Sequence, residues 1–529
     1  MVVKRFSVND FTVNGPVSHE NPFEVEVTAD FEHASGECIE GIKGFYDGKS
    51  WVVRFSPPLE GEWTGTTRSS ESALDGQEFG PLECVPSTNP DVHGRVRTDD
   101  AHPQRFRFED GTEFKPLGFE FDWLFAYHQA QPEPCRETLE TLVDRGFNYV
   151  LANVYAHTGF GDSDSEHVYG PPPTYVFGGT NEEPNHEVLN PAFFDDFDDL
   201  LETMHELGIV VHLMMQVQNK EVNWPERRSA DDDRYWKYVV ARYGAYPNLV
   251  WDVSKESYNI RHEAGSHDYT RDRLALLRRV DAYDHLVTAH DPDRGRSPRR
   301  FTPNHDREEP PIDDLVDFVS DQIALTRPGR YAREATLRVR DLEVPYLNAE
   351  NGAEVGVENL QIFEREESTG PWEEVLVTTW EIYVGGGYSC YYYSNMAWDL
   401  IKTDPEPPGW ERYAYLRETL DSFELNPMTP AHELVSDGYC LTELGRQYLV
   451  FLPDGGDVEL DLTHVTGGGD SDLDLEGDFN GLEASALDVF TGERETLPLS
   501  HDPFQGFMTS IENPLSNPDH PTAISIRQY

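Results

Sequence analysis

Residues 249–256 read LVWDVSKE, and residues 344–350 read VPYLNAE. Each stretch is a short apolar run that passes into polar residues and closes on a glutamate, Glu256 in the first and Glu350 in the second. Such a run, followed by loop residues, is typical of a buried parallel strand. In a barrel of eight strands and eight helices, the carboxyl ends of all strands meet at one mouth. The two stretches therefore predict a (β/α)8 barrel with both glutamates at its mouth.

The middle of the chain alternates strand and helix patterns throughout residues 106–425. No glycine-rich phosphate turn follows the first strand, so the pattern favours a closed barrel over a doubly wound open sheet. The eight predicted strands are Phe114–Phe125, Asn148–Tyr155, Ile209–Gln216, Leu249–Val253, His285–His290, Val316–Gln322, Val344–Ala349 and Tyr388–Tyr393.

Short alternating segments with glycine turns occupy both ends of the chain. At 529 residues the chain is too long for one ordinary core. Residues 1–92 predict an immunoglobulin-like β-sandwich, and residues 426–529 predict a second β-sandwich. The predicted domains are thus 1–92, 93–425 for the barrel, and 426–529.

The charge of the chain is strongly negative, with 98 acidic and 42 basic side chains and a formal net charge of -56. Repulsion between dispersed acids opposes compaction, and concentrated salt relieves it by shortening the Debye length to about 3 Å at 1 M. We therefore expect a halophilic protein with an acidic surface, of haloarchaeal origin; the alternative is an ordinary acidic mesophilic enzyme. The same charge disfavours nucleic acid and anionic membranes as partners.

The five cysteines are odd in number and far apart, which predicts reduced thiols rather than a disulfide framework or a zinc site. The N-terminus lacks the apolar segment of a secretory signal, and no stretch reaches the length of a membrane span. We expect a cytoplasmic protein in a high-salt cytosol that needs no organic cofactor. The oligomeric state stays open.

Two carboxyl groups at one barrel mouth are the working parts of a glycosidase. One carboxylic acid protonates the departing oxygen, and one carboxylate faces the positive charge that develops on the sugar ring. Glu256 suits the acid/base role and Glu350 the nucleophile role. The acid is expected to have a raised pKa through burial, and the nucleophile to stay ionised through hydrogen bonds. Glu354 replaces Glu350 if the seventh strand ends four residues later.

Further side chains at or near the predicted strand ends can bind a carbohydrate substrate. Aromatic rings offer stacking platforms for sugar faces, and amide or imidazole groups bind hydroxyls. The predicted substrate-binding residues of this kind are Trp123, Asn153, Tyr155, His157, Gln216, Asn219, His290, Gln322, Trp380 and Tyr392.

Four other functions compete with glycosidase chemistry. His212, His290 and Asp321 would suit a metal-dependent hydrolase, but no HxH or HExxH pair is present. No GxSxG elbow supports a serine hydrolase. A non-catalytic carbohydrate-binding barrel and, more weakly, a polysaccharide lyase remain as alternatives.

Residues 106–425 resemble the apiosidase-like catalytic domains of glycoside hydrolase clan A type. The matching segments are FEDGTEFKPLG at 108–118, RGFN at 145–148, YPNLVWD at 246–252, NAE at 348–350 and GGGY at 385–388. The front domain resembles a small β-sandwich of unknown function through FYDG at 45–48 and EGEW at 60–63, and the tail resembles the C-terminal β-domain of such proteins.

The resemblance implies a retaining hydrolase with its acid/base after strand four and its nucleophile after strand seven. One position departs from the clan pattern. An asparagine that binds the sugar 2-hydroxyl usually precedes the acid/base, and this chain has Lys255 there. Either another residue binds that hydroxyl, or Lys255 meets an anionic group of the substrate.

Overall fold

The chain folds into a parallel barrel between two antiparallel β-domains, which confirms the predicted fold class. The structure is a computed structural model. It describes residues 1–16, 19–159, 166–264, 267–290, 315–323, 333, 336–337, 340, 343–356, 369–465, 482–499 and 508–528.

The N-terminal domain has seven strands in the spatial order β1-β7-β6-β3-β4-β5-β2. Strand β4 pairs with β3 through its first part and with β5 through its last residues, so it passes from one sheet to another. Alternating side chains, among them Phe31, Phe55 and Trp63, form one apolar core. An immunoglobulin-like topology stays a prediction. The strands are β1 Val2–Lys4, β2 Asn9–Val13, β3 Val27–His33, β4 Cys38–Tyr46, β5 Trp51–Phe55, β6 Gly61–Ser69 and β7 Glu78–Val85.

A small three-stranded sheet closes the lower end of the barrel. It consists of β8 Val96–Thr98, β9 Phe106–Phe108 and β10 Glu113–Phe114. The Phe106 ring packs against Phe318 and Tyr388, with ring centroids 5.4 and 5.3 Å apart. Both partners lie at the amino ends of barrel strands, so this sheet covers the end of the barrel where the strands begin.

The barrel consists of eight parallel strands with almost entirely buried side chains. They pair in the order β17-β16-β15-β12-β11-β22-β19-β18. The ring is closed between the two outer strands by Asp317, whose N–H donates to the Val287 carbonyl at 2.9 Å, and by the Thr288 hydroxyl, which donates to the Phe318 carbonyl at 2.8 Å. The strands are β11 Leu117–Glu120, β12 Tyr149–Asn153, β15 Val210–Met214, β16 Leu249–Asp252, β17 Val287–Thr288, β18 Val319–Ile323, β19 Tyr346–Asn351 and β22 Tyr388–Tyr391.

Helices surround the strands and begin with recognisable signals. In α4 the Ser229 side chain accepts the Asp232 N–H at 3.1 Å, and three aspartates occupy the first turn, where the helix dipole favours negative charge. No helix in the described ranges is long and apolar enough to cross a membrane. The helices are α1 Leu124–Ala130, α2 Pro132–Asp144, α3 Pro191–Glu206, α4 Ala230–Tyr243, α5 Tyr258–Ala264, α6 Asp268–Val280, α7 Trp372–Val384 and α8 Tyr413–Asp421.

Two short strand pairs interrupt the barrel loops, and a further β-domain follows the barrel. The pairs are β13 Phe177–Gly179 with β14 Pro184–Leu189, and β20 Ala353–Glu354 with β21 Thr369–Gly370. The C-terminal domain has a six-stranded sheet in the order β23-β24-β25-β30-β27-β28 and a separate pair, β26 with β29. Its strands are β23 Thr429–Pro430, β24 Tyr439–Glu443, β25 Gln447–Leu452, β26 Val458–Asp461, β27 Leu482–Asp488, β28 Arg494–Thr496, β29 Met508–Ile511 and β30 Thr522–Gln528.

A buried arginine fastens the N-terminal domain to the barrel. Arg54 on β5 pairs with Asp10 of its own domain at 2.7 Å and with Asp198 on α3 at 2.9 Å, and it donates to the Arg242 carbonyl on α4 at 2.9 Å. Burial would raise the pKa of Asp198, but Arg54 and Arg242 hold it below its ordinary value. The ion pairs therefore compensate for the burial of these charges.

We predict that Arg54→Met destabilises the protein by about 3–5 kcal/mol, because it leaves Asp198 buried with only part of its compensating charge. Arg68→Met is the matched control, since Arg68 is 72% exposed and pairs with Asp30 at the surface; we expect a loss of about 0–1 kcal/mol. Denaturant unfolding of both variants at constant salt measures the difference. Equal losses would contradict the role given to Arg54.

Candidate active site

Asp252, the last residue of the fourth barrel strand, organises the chain that follows it. One of its carboxylate oxygens accepts the N–H groups of Ser254 and His290 at 2.9 and 3.1 Å. The other oxygen contacts Nε2 of His212 at 2.6 Å, and the Tyr149 hydroxyl contacts Nδ1 of the same ring at 2.8 Å. All of these groups are buried, so the exit of the strand is held firmly.

The next residues cross the mouth between strands three and five. The Lys255 N–H donates to the Gln216 carbonyl at 3.0 Å, and the Ser257 N–H donates to the His290 carbonyl at 2.6 Å. Between them Glu256 has φ +49°, the left-handed region that side chains rarely adopt. Strained backbone of this kind clusters at functional sites. The backbone geometry of the segment thus indicates that Glu256 is a candidate functional residue.

Lys255 extends into the barrel and forms a buried ion-pair cluster with the first strand. Its ammonium contacts the carboxylates of Glu120 and Asp122, the latter at 3.0 Å, and lies 3.6 Å from Oε2 of Glu350. The Tyr392 hydroxyl donates to Asp122 at 3.4 Å. Burial alone would lower the pKa of Lys255, but the surrounding carboxylates raise it well above its ordinary value. Lys255 is therefore charged.

Glu350 lies on the seventh strand, with a side chain that is 12% exposed. Its Oε2 atom has no hydrogen-bond partner among the described residues. Burial raises the pKa of Glu350 to about 7; Lys255 opposes this shift, and Glu256 and Asp122 add to it. The two glutamates are related through Lys255, whose ammonium lies 3.6 Å from Glu350 and which directly precedes Glu256 in the chain.

Glu256 has a different environment. One of its oxygens accepts the side-chain amides of Asn219 at 2.6 Å and Asn259 at 3.3 Å. Hydrogen bonds therefore surround the residue predicted to be the acid, whereas burial surrounds the predicted nucleophile. This is the reverse of the environments that the sequence predicts for the two roles. The physical reason is the burial of Glu350, whose Oε2 has no hydrogen-bond partner among the described residues and whose raised pKa Lys255 only partly offsets.

A second buried lysine, Lys220, lies in the loop after strand three. Its Nζ is 4.1 Å from the ring centroid of Trp398 and 5.8 Å from that of Trp123. Burial lowers the pKa of Lys220 to about 8, while Asp122, Glu256 and Glu350 act to raise it. Lys220 was not predicted from the sequence. The sequence feature that could have pointed to Lys220 is the rarity of lysine, which occurs only eight times in the chain.

Several predicted substrate-binding side chains are buried at strand ends with unused polar atoms. Within the described residues, no hydrogen-bond partner exists for Nε1 of Trp123, Oδ1 of Asn153, either ring nitrogen of His290, or Oε1 of Gln322. Burial of an unpaired polar atom is costly, and such atoms concentrate where a polar ligand binds. Their roles in binding remain predictions.

The sequence profile of the apiosidase-like catalytic domain matches residues 104–421. The chain belongs to the apiosidase-like family. This membership places it among the glycoside hydrolases and confirms the predicted enzyme class. A domain of unknown function matches residues 2–70.

Solved structures show the same fold as this apiosidase-like chain. A protein from Bacteroides vulgatus ATCC 8482 assigned to the glycoside hydrolases is 20% identical, with a TM-score of 0.76 over 100% of both chains. A glycoside hydrolase family 5 protein from the same organism is 16% identical, with a TM-score of 0.58 over 82% of this chain and 93% of its own. No curated protein matches the chain significantly.

Two of the predicted sugar platforms in the apiosidase-like barrel lie in packed aromatic surroundings. Trp380 lies on helix α7 and stacks on Phe451 of the C-terminal domain, with centroids 5.6 Å apart, because its side of the helix faces that domain. The Tyr155 ring is buried against Phe125 and Phe193 under the helices. Both aromatics pack against other rings, and their role in binding substrate stays a prediction.

Two further predicted residues have side chains that are engaged with other protein groups. The Gln216 amide contacts Asp232 at 3.4 Å and the Tyr269 hydroxyl at 3.3 Å, toward the helices. His157 pairs with Glu182 at 3.3 Å. In the described part of the chain no group of three or more metal-ligating side chains is arranged to hold a metal.

Glu354, the alternative nucleophile, is buried and already engaged. Its two oxygens accept the Tyr391 hydroxyl at 2.7 Å and the Gly409 N–H at 3.1 Å. Burial raises the pKa of Glu354 to about 7, while these two hydrogen bonds act to lower it. The contacts fasten the loop after strand seven to the segment before helix α8. The contacts of Glu354 are therefore those of a residue that stabilises a loop.

We predict that Glu354→Gln keeps turnover and changes the pH dependence of stability. A carboxyl whose folded pKa is raised contributes stability below its unfolded pKa and loses it as pH rises from about 4.5 to about 7. The variant lacks this loss, so its stability relative to the native protein should rise by about 3 kcal/mol between pH 4 and pH 8. Unfolding measured at both pH values tests this. An inactive variant would restore Glu354 as a nucleophile candidate.

Proposed function

We propose that this enzyme hydrolyses O-glycosidic bonds of a poly- or oligosaccharide by a retaining double displacement, with Glu256 as acid/base and Glu350 as nucleophile. The proposal is supported by the position of both carboxyls relative to Lys255: Glu350 lies 3.6 Å from its ammonium, and Glu256 is the next residue in the chain. The neighbouring polar atoms offer donors and acceptors to sugar hydroxyls. Family membership supplies the reaction class.

The first displacement needs an ionised Glu350 and a protonated Glu256. A Glu350 oxygen attacks the anomeric carbon while the bond from that carbon to the leaving oxygen breaks, and the leaving oxygen takes the Glu256 proton. Asn219 and Asn259, which donate to Glu256, position its carboxyl and accommodate the negative charge that it gains. The product of this step is a glycosyl ester of Glu350.

The second displacement returns the enzyme to its starting state. The Glu256 carboxylate removes a proton from water, the water oxygen bonds to the anomeric carbon, and the ester bond to Glu350 breaks. Glu350 leaves as a carboxylate beside Lys255, whose positive charge stabilises it. Two inversions give net retention of configuration.

We predict that Glu350→Ala and Glu256→Ala each lower turnover by about 10³-fold or more, because each removes a group that acts in the transition state. Azide separates their roles. With Glu350→Ala, azide occupies the nucleophile's position and gives a glycosyl azide of inverted configuration. With Glu256→Ala, azide attacks the glycosyl ester and gives retained configuration. Product anomers read by NMR test the assignment; exchanged outcomes would exchange the roles, and full activity in either variant would refute it.

The pH profile tests the same assignment in the native enzyme. A nucleophile must be ionised, so kcat/KM should rise with pH through about 7, the pKa of Glu350. If Glu350 were the acid, kcat/KM would instead fall as pH rises through this value. The slope on either side of pH 7, measured with one aryl glycoside substrate, decides between them.

We also infer that the enzyme functions in concentrated salt. Its net charge of -56 produces repulsion that only a short Debye length relieves. The thermal unfolding midpoint should rise continuously between 0.1 M and 3 M potassium chloride, so glycan screens are best made in molar salt. A midpoint independent of salt would favour an ordinary acidic enzyme.

A further inference from the structure

Lys255 occupies a position with unusual charge and burial. Its side chain is 2% exposed, and its ammonium bridges the first and seventh barrel strands. The two strand-one acids that it contacts, Glu120 and Asp122, are fully buried. The cluster therefore ties the base of the site to the carboxyl of Glu350.

Many charged groups face Glu350 from the surrounding elements. Glu256 follows strand four, Glu120 and Asp122 belong to strand one and its exit, and Lys220 follows strand three. The Tyr392 hydroxyl, after strand eight, faces the same carboxylates. Negative groups outnumber positive ones, so the surroundings of Glu350 oppose its ionisation. Of the two lysines, Lys255 acts on Glu350 more strongly.

We propose that Lys255 is the positioning residue for Glu350: held by Glu120 and Asp122, its ammonium keeps the nucleophile ionised and orients it toward the anomeric carbon. This inference rests on the proposed function. A cation fixed by three carboxylates is committed within the protein, so Lys255 does not serve as the receptor for an anionic group of the substrate. The clan pattern has an asparagine at this position, and this chain has a lysine. The lysine thus changes how the nucleophile is kept ionised.

The test compares two variants expected to move the ascending limb of kcat/KM in opposite directions. Lys255→Met removes the positive charge, so the ascending limb of kcat/KM should move to higher pH by about one unit or more. At pH values below the limb, kcat/KM should then be about tenfold or more lower than in the native enzyme. Asp122→Asn removes a carboxylate that opposes ionisation of Glu350, so the limb should move to lower pH. Lys115→Met is the matched control, since the Lys115 side chain is only 11% exposed and donates to the Leu420 and Phe423 carbonyls, away from the glutamates in sequence and before strand one. Its limb should not move.

Two further variants keep the outcomes separate. If Lys255→Met fails to fold, the double variant Lys255→Met/Glu120→Gln removes one buried acid with the lysine, and it should still show the upward shift. If Glu350→Ala is inactive but neither Lys255 variant moves the limb, the positioning role is refuted and the proposed function stands. If Glu350→Ala is fully active, the proposed function itself fails.

Discussion

A buried ammonium surrounded by carboxylates is the interaction on which the site depends. Lys255 meets Glu120 and Asp122 inside the barrel, where each of these charges alone would be costly to bury. Their mutual neutralisation makes the cluster tolerable, and it links strand four to strand one across the mouth. The two glutamates proposed to react are placed relative to this cluster, since one is the next residue in the chain and the other lies 3.6 Å from the ammonium.

The surrounding fold supports this cluster through a second buried network. Asp252 gathers backbone and side-chain groups from strands three, four and five, and so sets the direction in which the chain leaves strand four. Lys255 then points inward, and Glu256, in its left-handed conformation, lies over the mouth. The catalytic geometry proposed above is thus a consequence of where hydrogen bonds place one short segment.

The sequence predicted the barrel well because apolar runs and helix patterns are local signals. The predicted strands Leu249–Val253 and Tyr388–Tyr393 begin where the observed strands Leu249–Asp252 and Tyr388–Tyr391 begin, and they end within two residues of them. The first barrel strand was predicted too long, at Phe114–Phe125, because the apolar run continues into helix α1. Contacts across the barrel could not be predicted from local sequence patterns. Lys255 contacting Glu120, Lys220 beside Trp398, and Trp380 against the C-terminal domain all join residues distant in sequence.

The small sheet under the barrel has a further consequence. With Phe106 packed against the strand beginnings, the lower end is sealed by aromatic rings. Reactant, departing alcohol and water would then share the doorway at the other end, where the strands finish. In a two-step reaction the first product has to clear that doorway before water can approach along the same route. The leaving fragment would thereby have to depart before water enters. An acceptor larger than water that entered first could then receive the sugar in place of water.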